Sequence, residues 1–250
     1  MASKRSRQDH PIQEAASRED TVELFKEFPI ENPSIPGHLL ERGDPEALRA
    51  AMSYRAGAAV VLRELRASTE ASAVKSAVRR FHELVDAFIR HEEHDAAKLA
   101  KMSFACKKGC SYCCHASIQC LSVEAMTLAS YVDRHDDELK SRLLAYQAQT
   151  SGLSESERDR LRLPCPFLVN DSCSIYHARP ERCRSFHSFD VGRCRDHFFH
   201  PESEPRIPQI RQVGSLVHWI VAGAQAAFVA RGVECEKGEF IDLVLTEIQD

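Results

Sequence analysis

Along most of the chain, apolar residues recur at steps of three and four rather than alternating as they would in a strand. The pattern starts late. Over residues 1–43, prolines at positions 11, 29, 33 and 36 break up a polar stretch with little periodicity, which predicts a flexible or loosely draped arm. From Asp44 the segment DPEALRAAMSYRAGAAVVLRELR reads as a helix, with Asp44 as N-cap and Pro45 in the first turn. Val74, Val78, Phe81, Val85 and Phe88 form the apolar stripe of a second, amphipathic helix. LSVEAMTLASYVDRH predicts a third, capped by Ser122, with Glu124 well placed against its dipole.

A polar, helix-prone stretch continues to about residue 162, where the prolines of LPCPFLVNDSC end it. CPFLV followed by the ND turn predicts a short extended piece, and HPESEPRIP a loop. Ile210, Val213, Val217, Ile220, Ala224 and Phe228 mark a long buried helix, and residues 240–248 a short last one. No internal repeat is evident. The expected fold is mainly α: a single helical domain over residues 44–250, with at most a short extended segment, around an irregular cysteine-rich centre at about 104–196.

Composition narrows the function more than the fold. The 250 residues suffice for a real core, and 43% hydrophobic with 28% charged residues is ordinary for a soluble globular protein. A net charge of -4 offers no basic face, so no nucleic-acid partner is expected. MASKRSRQDH lacks the apolar run of a secretory signal. Residues 216–230 are apolar but short for a span, and His218 and Gln225 interrupt them, so no membrane partner is expected either. A cytoplasmic location follows, where thiols stay reduced and disulfides are rare.

The candidate chemistry lies in the ten cysteines. All but Cys235 fall between Cys106 and Cys194, in two groups. CKKGCSYCCH packs Cys106, Cys110, Cys113 and Cys114 among Lys107, Lys108, Gly109, Ser111 and Tyr112. That loop is too polar to bury four small hydrophobes, whereas thiolates meeting in a loop are what a soft metal or an iron–sulfur cluster needs. Gly109 permits a tight turn between ligands. Cys165, Cys173 and Cys183 are more widely spaced and can complete the site. Adjacent Cys113 and Cys114 are expected to point apart, so about three thiols of the first loop should combine with the second segment. Cys120 and Cys235 read as buried thiols.

Lys107, Lys108, Arg179, Arg182, Arg184, Arg193 and Arg195 flank the cysteines and can offset thiolate charge. Pro180 can start a short helix carrying Cys183 and Arg184, with Arg184 facing Glu124 or a thiolate. His115, His177, His187 and His197 are reserve ligands. HELVD at 82–86 has Asp86 where a zinc protease needs histidine, and His82 reads as helix surface. His91 and His94, one turn apart, have the spacing of a metal-binding pair but read more simply as a solvated face. No glycine-rich phosphate loop and no G-x-S-x-G motif occurs.

CKKGCSYCCHASIQCLSVEAMTLA followed by CPFLVNDSCSIYHARPERCRSF resembles the zinc- or iron-chelating cysteine-cluster family named for its CxxCxxCC motif, over roughly residues 104–190. Cys106 and Cys110 are separated by three residues, one more than in that pattern. The resemblance implies metal or iron–sulfur binding. It makes Cys106, Cys110, Cys113, Cys114, Cys165, Cys173 and Cys183 the candidate ligands and Arg179 and Arg184 candidate cofactor-binding residues. The family looks related to flagellin lysine N-methylase, which uses S-adenosylmethionine. The spacing Cys106-x3-Cys110-x2-Cys113 also matches the signature of radical S-adenosylmethionine enzymes, though nothing upstream reads as the strand that usually precedes it.

Three functions are therefore carried forward. The first is a protein holding a four-iron cluster or zinc through both cysteine segments. The second is a cluster-dependent S-adenosylmethionine methyltransferase acting on a protein lysine. The third is a zinc-stabilised protein-interaction module.

Overall fold

The computed structural model describes residues 10–30, 41–132, 136–200 and 206–249. Residues 1–9, Pro33 and Pro36 of the expected arm, and 201–205 of the expected loop, lie outside them. The fold is mainly α, with eleven α-helices and two small two-stranded sheets among the described residues. The chain divides into two compact units: one from residues up to Asp95 with Ile210–Cys235, the other from Ala96–Gln209 with Glu236–Asp250.

In the first unit, α1 (Pro11–Ser17) and α2 (Thr21–Glu27) occupy part of the expected arm. They bury Ile12 and Leu24 against α3 (Pro45–Leu65), which is how so polar a stretch acquires helical order. The Arg63 fork on α3 fixes them: it donates to both carboxylate oxygens of Asp20, to Thr21 Oγ1 at 2.6 Å and to the Ala15 carbonyl at 3.1 Å. Asp44 caps α3 as expected, its Oδ1 accepting the N–H groups of Glu46 and Ala47. In α4 (Ala71–Ala100) the whole stripe from Val74 to Phe88 is buried. His82 is a correction: it is 8% exposed and packs on the Phe81 ring, so it belongs to the core face.

The long apolar helix is α10 (Arg211–Ala230). Its 20 residues are long and apolar enough, by length and composition alone, to cross a membrane. Within the unit its apolar face is spent on α3. The two helices touch backbone to backbone: a methyl at Gly57 would overlap the Ile220 carbonyl, and one at Gly223 the Tyr54 carbonyl. Each glycine is therefore a steric requirement of the crossing, with no positive φ involved.

The second unit is less regular. Its core joins α5 (Ser122–Ala129), α6 (Asp137–Thr150) and α11 (Phe240–Gln249) around Leu143, Phe167, Val244 and Cys120. The N-cap of α5 is Leu121 rather than Ser122. Glu124 does the capping work, since its Oε2 accepts the Leu121 N–H at 3.0 Å. Its Oε1 accepts the Glu181 N–H at 2.7 Å and so also starts α8 (Glu181–Ser185). One buried carboxylate thus satisfies two helix entrances. Strand β1 (Gln119–Leu121) pairs antiparallel with β4 (Lys237–Glu239), a pairing between distant segments that local patterning did not suggest. The expected extended piece is the hairpin β2 (Leu168–Val169) and β3 (Ser172–Cys173). Asn170 and Asp171 adopt φ of 48° and 56° at its turn, as a tight hairpin demands.

Candidate metal centre

The centre lies in the second unit. Its first loop is fastened at both ends: the Ala105 N–H donates to the Ser188 carbonyl at 2.7 Å, and the Cys165 N–H to the Cys114 carbonyl at 2.8 Å. Gly109, at φ 90°, makes the tight turn expected of it, and the Cys110 N–H returns to the Lys107 carbonyl. Residues Tyr112–His115 then coil as a single 3-10 turn. In that turn Cys113 and Cys114 are neighbours, and the Cys114 thiol is the first influence raising Cys113.

The second segment presents its thiols from three kinds of backbone. Cys165 precedes the hairpin, Cys173 ends β3 and Cys183 sits in α8. A common device recurs: the N–H two residues on faces the sulfur, from Tyr112 to Cys110, from Phe167 to Cys165 and from Ile175 to Cys173. Such donors favour a thiolate and are the usual outer support of a thiolate ligand.

All ten cysteines are free. Charge repulsion between neighbouring thiols runs through two sets, in one of which Cys183 responds to its three partners and in the other Cys106 to its three. One set is Cys113, Cys165, Cys173 and Cys183. The other is Cys106, Cys110, Cys113 and Cys194. Cys113 is common to both. The second set draws three thiols from the first loop and one from further downstream. Its completing residue is Cys194, on α9 (Val191–Phe199), which sequence reasoning grouped with the cysteines but did not name as a ligand. The first set reverses the proportion, one thiol against three.

Desolvation is the leading influence on most of these thiols. It pushes Cys165 up to about 12 and Cys183 well above the ordinary thiol range. Cys106 is exposed as a residue, yet its sulfur is packed enough that burial lifts it to about 12 as well. Cys113 is raised first by the Cys114 thiol and then by burial. Arg179 works against this at Cys113, Cys173 and Cys183, and Lys107 at Cys110. Without a cation the centre is a set of neutral thiols; thiolates here need a metal's charge.

Arg179 is the most telling side chain. It lies 4.1 Å over the Tyr176 ring, and its Nε is buried without a hydrogen-bond partner. A guanidinium N–H left over beside thiols is suited to a thiolate or a cluster sulfide. Arg184 does something different. It braces the carbonyls of Arg179, at 2.8 Å, and His177. Of the reserve histidines, His197 lines the cavity, whereas His115 and His187 engage the Ser111 and Ser185 carbonyls.

That cavity measures about 730 Å³ and is bordered by Cys110, Cys113, Cys114, Cys165, Cys173 and Cys183 together with Arg179, Tyr146 and Glu239. Cys120 and Cys235 are buried, as expected. Glu239 was not foreseen; it arrives through the β1–β4 pairing, and burial raises it to about 7. Its separation from the cysteines along the chain left no local signal.

The chemistry of this donor set fits a thiophilic metal or an iron–sulfur cluster. Residues 105–206 match the family model of the CxxCxxCC domain, described as "Putative zinc- or iron-chelating domain". No curated protein and no solved structure matches the chain.

Proposed function

We propose that the second unit holds an iron–sulfur centre, of the four-iron kind, through Cys113 with thiols of both segments. The observation that carries this reading is the cavity bordered by Cys110, Cys113, Cys114, Cys165, Cys173 and Cys183, which brings thiols of both segments together. Spacing favours a cluster over a lone zinc. Tetrahedral zinc draws its sulfurs to about 3.8 Å from one another. Among the described residues, the group of three donors found within 4.8 Å of one another contains no cysteine. A cluster spreads its thiolates over different irons and tolerates wider separation. When bound, it would supply one-electron chemistry or a structural staple; Arg179 would donate to its sulfur and the i+2 N–H groups would hold the ligands. The reading implies a reducing compartment.

Anaerobic purification with iron, sulfide and zinc analysis tests it. The expected protein is brown, with iron and sulfide in equal amounts; a colourless protein with one zinc would overturn the cluster assignment. Cys113→Ser should lose most of the metal, and Cys235→Ser none. Because the thiols are held protonated, loading should release protons and weaken as pH falls, which a pH series of metal retention measures.

The cavity supports a second reading. Its 730 Å³ lies within the range of small-molecule sites, about 300–1,000 Å³, and far exceeds one ion. S-adenosylmethionine in that space, with a protein lysine as methyl acceptor, is the alternative. Calorimetry of the loaded protein with S-adenosylmethionine decides it: absence of binding heat would remove the methyltransferase reading and leave the metal centre standing.

A further inference from the structure

Outside the cysteines, one group of side chains in the first unit has ligand geometry. His10 is the N-cap residue of α1, while His91 and Glu92 lie on α4. His10 Nε2 and His91 Nδ1 each stand 3.8 Å from Glu92 Oε1, and one donor atom from each of the three residues falls within 4.8 Å of the others. Tetrahedral zinc with nitrogen and oxygen ligands brings its donors to about 3.4 Å from one another. A movement of a few tenths of an ångström would close each carboxylate–imidazole pair, and the two imidazole donors, within 4.8 Å, need a larger approach of up to about 1.4 Å.

The rings are already held. The two imidazoles lie with centroids 4.5 Å apart, and His10 also packs on Phe88 at 6.0 Å. His91 Nδ1 is buried and has no hydrogen-bond partner. An orphaned ring nitrogen is costly to bury, and a cation accepting its lone pair would answer it. The sequence pairing of His91 with His94 misses this: the His94 side chain is 73% exposed, and His91 faces a histidine from the start of the chain instead.

We infer that His10, His91 and Glu92 form a second cation site, independent of the cysteines. It would take a late first-row divalent ion such as zinc, which favours imidazole with carboxylate, and would fasten the start of α1 to α4. Binding has one identifiable cost. His10 Nδ1 accepts the Ile12 N–H at 3.3 Å, so a metal on Nε2 puts the ring proton on Nδ1 and gives up this long cap bond.

The test is a cobalt(II) titration of the full chain, as purified and in the variants His10→Ser, His91→Gln and Cys113→Ser. Serine at position 10 keeps an N-cap oxygen while removing the imidazole. The site predicts one equivalent with visible ligand-field bands and no thiolate charge-transfer band, present in Cys113→Ser and weakened roughly tenfold or more in both histidine variants. Equal affinity in wild type and the histidine variants, or a signal lost with Cys113→Ser, would overturn it. Hydrogen exchange gives a second measurement. Zinc should slow exchange across α1 in wild type but not in His91→Gln; unchanged α1 exchange in wild type would refute the fastening role.

Discussion

Arg63 in the first unit and Arg179 in the second are both largely withdrawn from water, yet their surroundings differ. Arg63 meets a carboxylate, a hydroxyl and a carbonyl, each within 3.1 Å. Arg179 lies on an aromatic face beside cysteines, with a buried N–H left over. The contrast extends to acids. Asp20, hydrogen-bonded by Arg63, is held below the usual carboxylate range, whereas burial lifts Glu239 and Glu181 to about 7. The Arg63 site answers its charges internally. The cysteine centre concentrates groups whose charged forms need something more.

The largest blow to the helical frame should come from Gly223→Val. Its side chain would enter the Tyr54 carbonyl, and overpacking of two backbones should cost about 3 kcal/mol or more in urea unfolding. Gly214→Ala, with nothing near its added methyl, should cost nothing and gain a few tenths of a kcal/mol in helix propensity. Equal effects at both positions would refute the backbone-contact account of the crossing.

Glu239 gives the next effect, through pH. Its folded-state value of about 7 lies above the ordinary 4.5, so the stability it contributes is complete below pH 4.5 and is lost as pH rises through 7. The swing is on the order of 2–3 kcal/mol. Glu239→Gln, which can still accept the Asp242 N–H, should flatten that dependence and be more stable than wild type at pH 8. Unfolding curves at pH 5 and pH 8 check it.

Arg63→Met should show the opposite sign at smaller size. The Asp20 bond contributes above the ordinary carboxylate value and is lost as acid protonates Asp20. The variant should lose about 1 kcal/mol at pH 7, a figure kept low because Asp20 is 40% exposed, and its deficit should shrink below pH 4. Metal content should not change. Arg179→Met should complete the comparison with the least effect on the unfolding of the metal-free chain. It should instead loosen metal retention a few-fold in a chelator competition. If Arg63→Met lost metal while Arg179→Met did not, the distinction between frame and centre would fail.

Several features were legible before any tertiary structure. The Val74–Phe88 stripe, the Asp44–Pro45 start, the α10 repeat and the ND hairpin turn are local signals, because helix period, capping and positive-φ turns depend on neighbours a few residues away. The cysteines announced themselves in the same manner, as too many thiols in too polar a loop. The exceptions differ in origin. Ser122 looks like a cap, yet Glu124 reaches back to Leu121, and the polar stretch around α1 and α2 gains order only through tertiary contacts, with Ile12 and Leu24 docking on α3 and Arg63 of α3 bonding back.

Local pattern alone thus specifies a mainly helical chain with thiol chemistry in two segments. The company those thiols keep depends on the tertiary fold. Thiols of both segments border one cavity, Glu239 enters by strand pairing and His10 comes to face His91. Contacts between distant segments follow from which apolar faces bury each other, and no spacing of nearby residues encodes that choice.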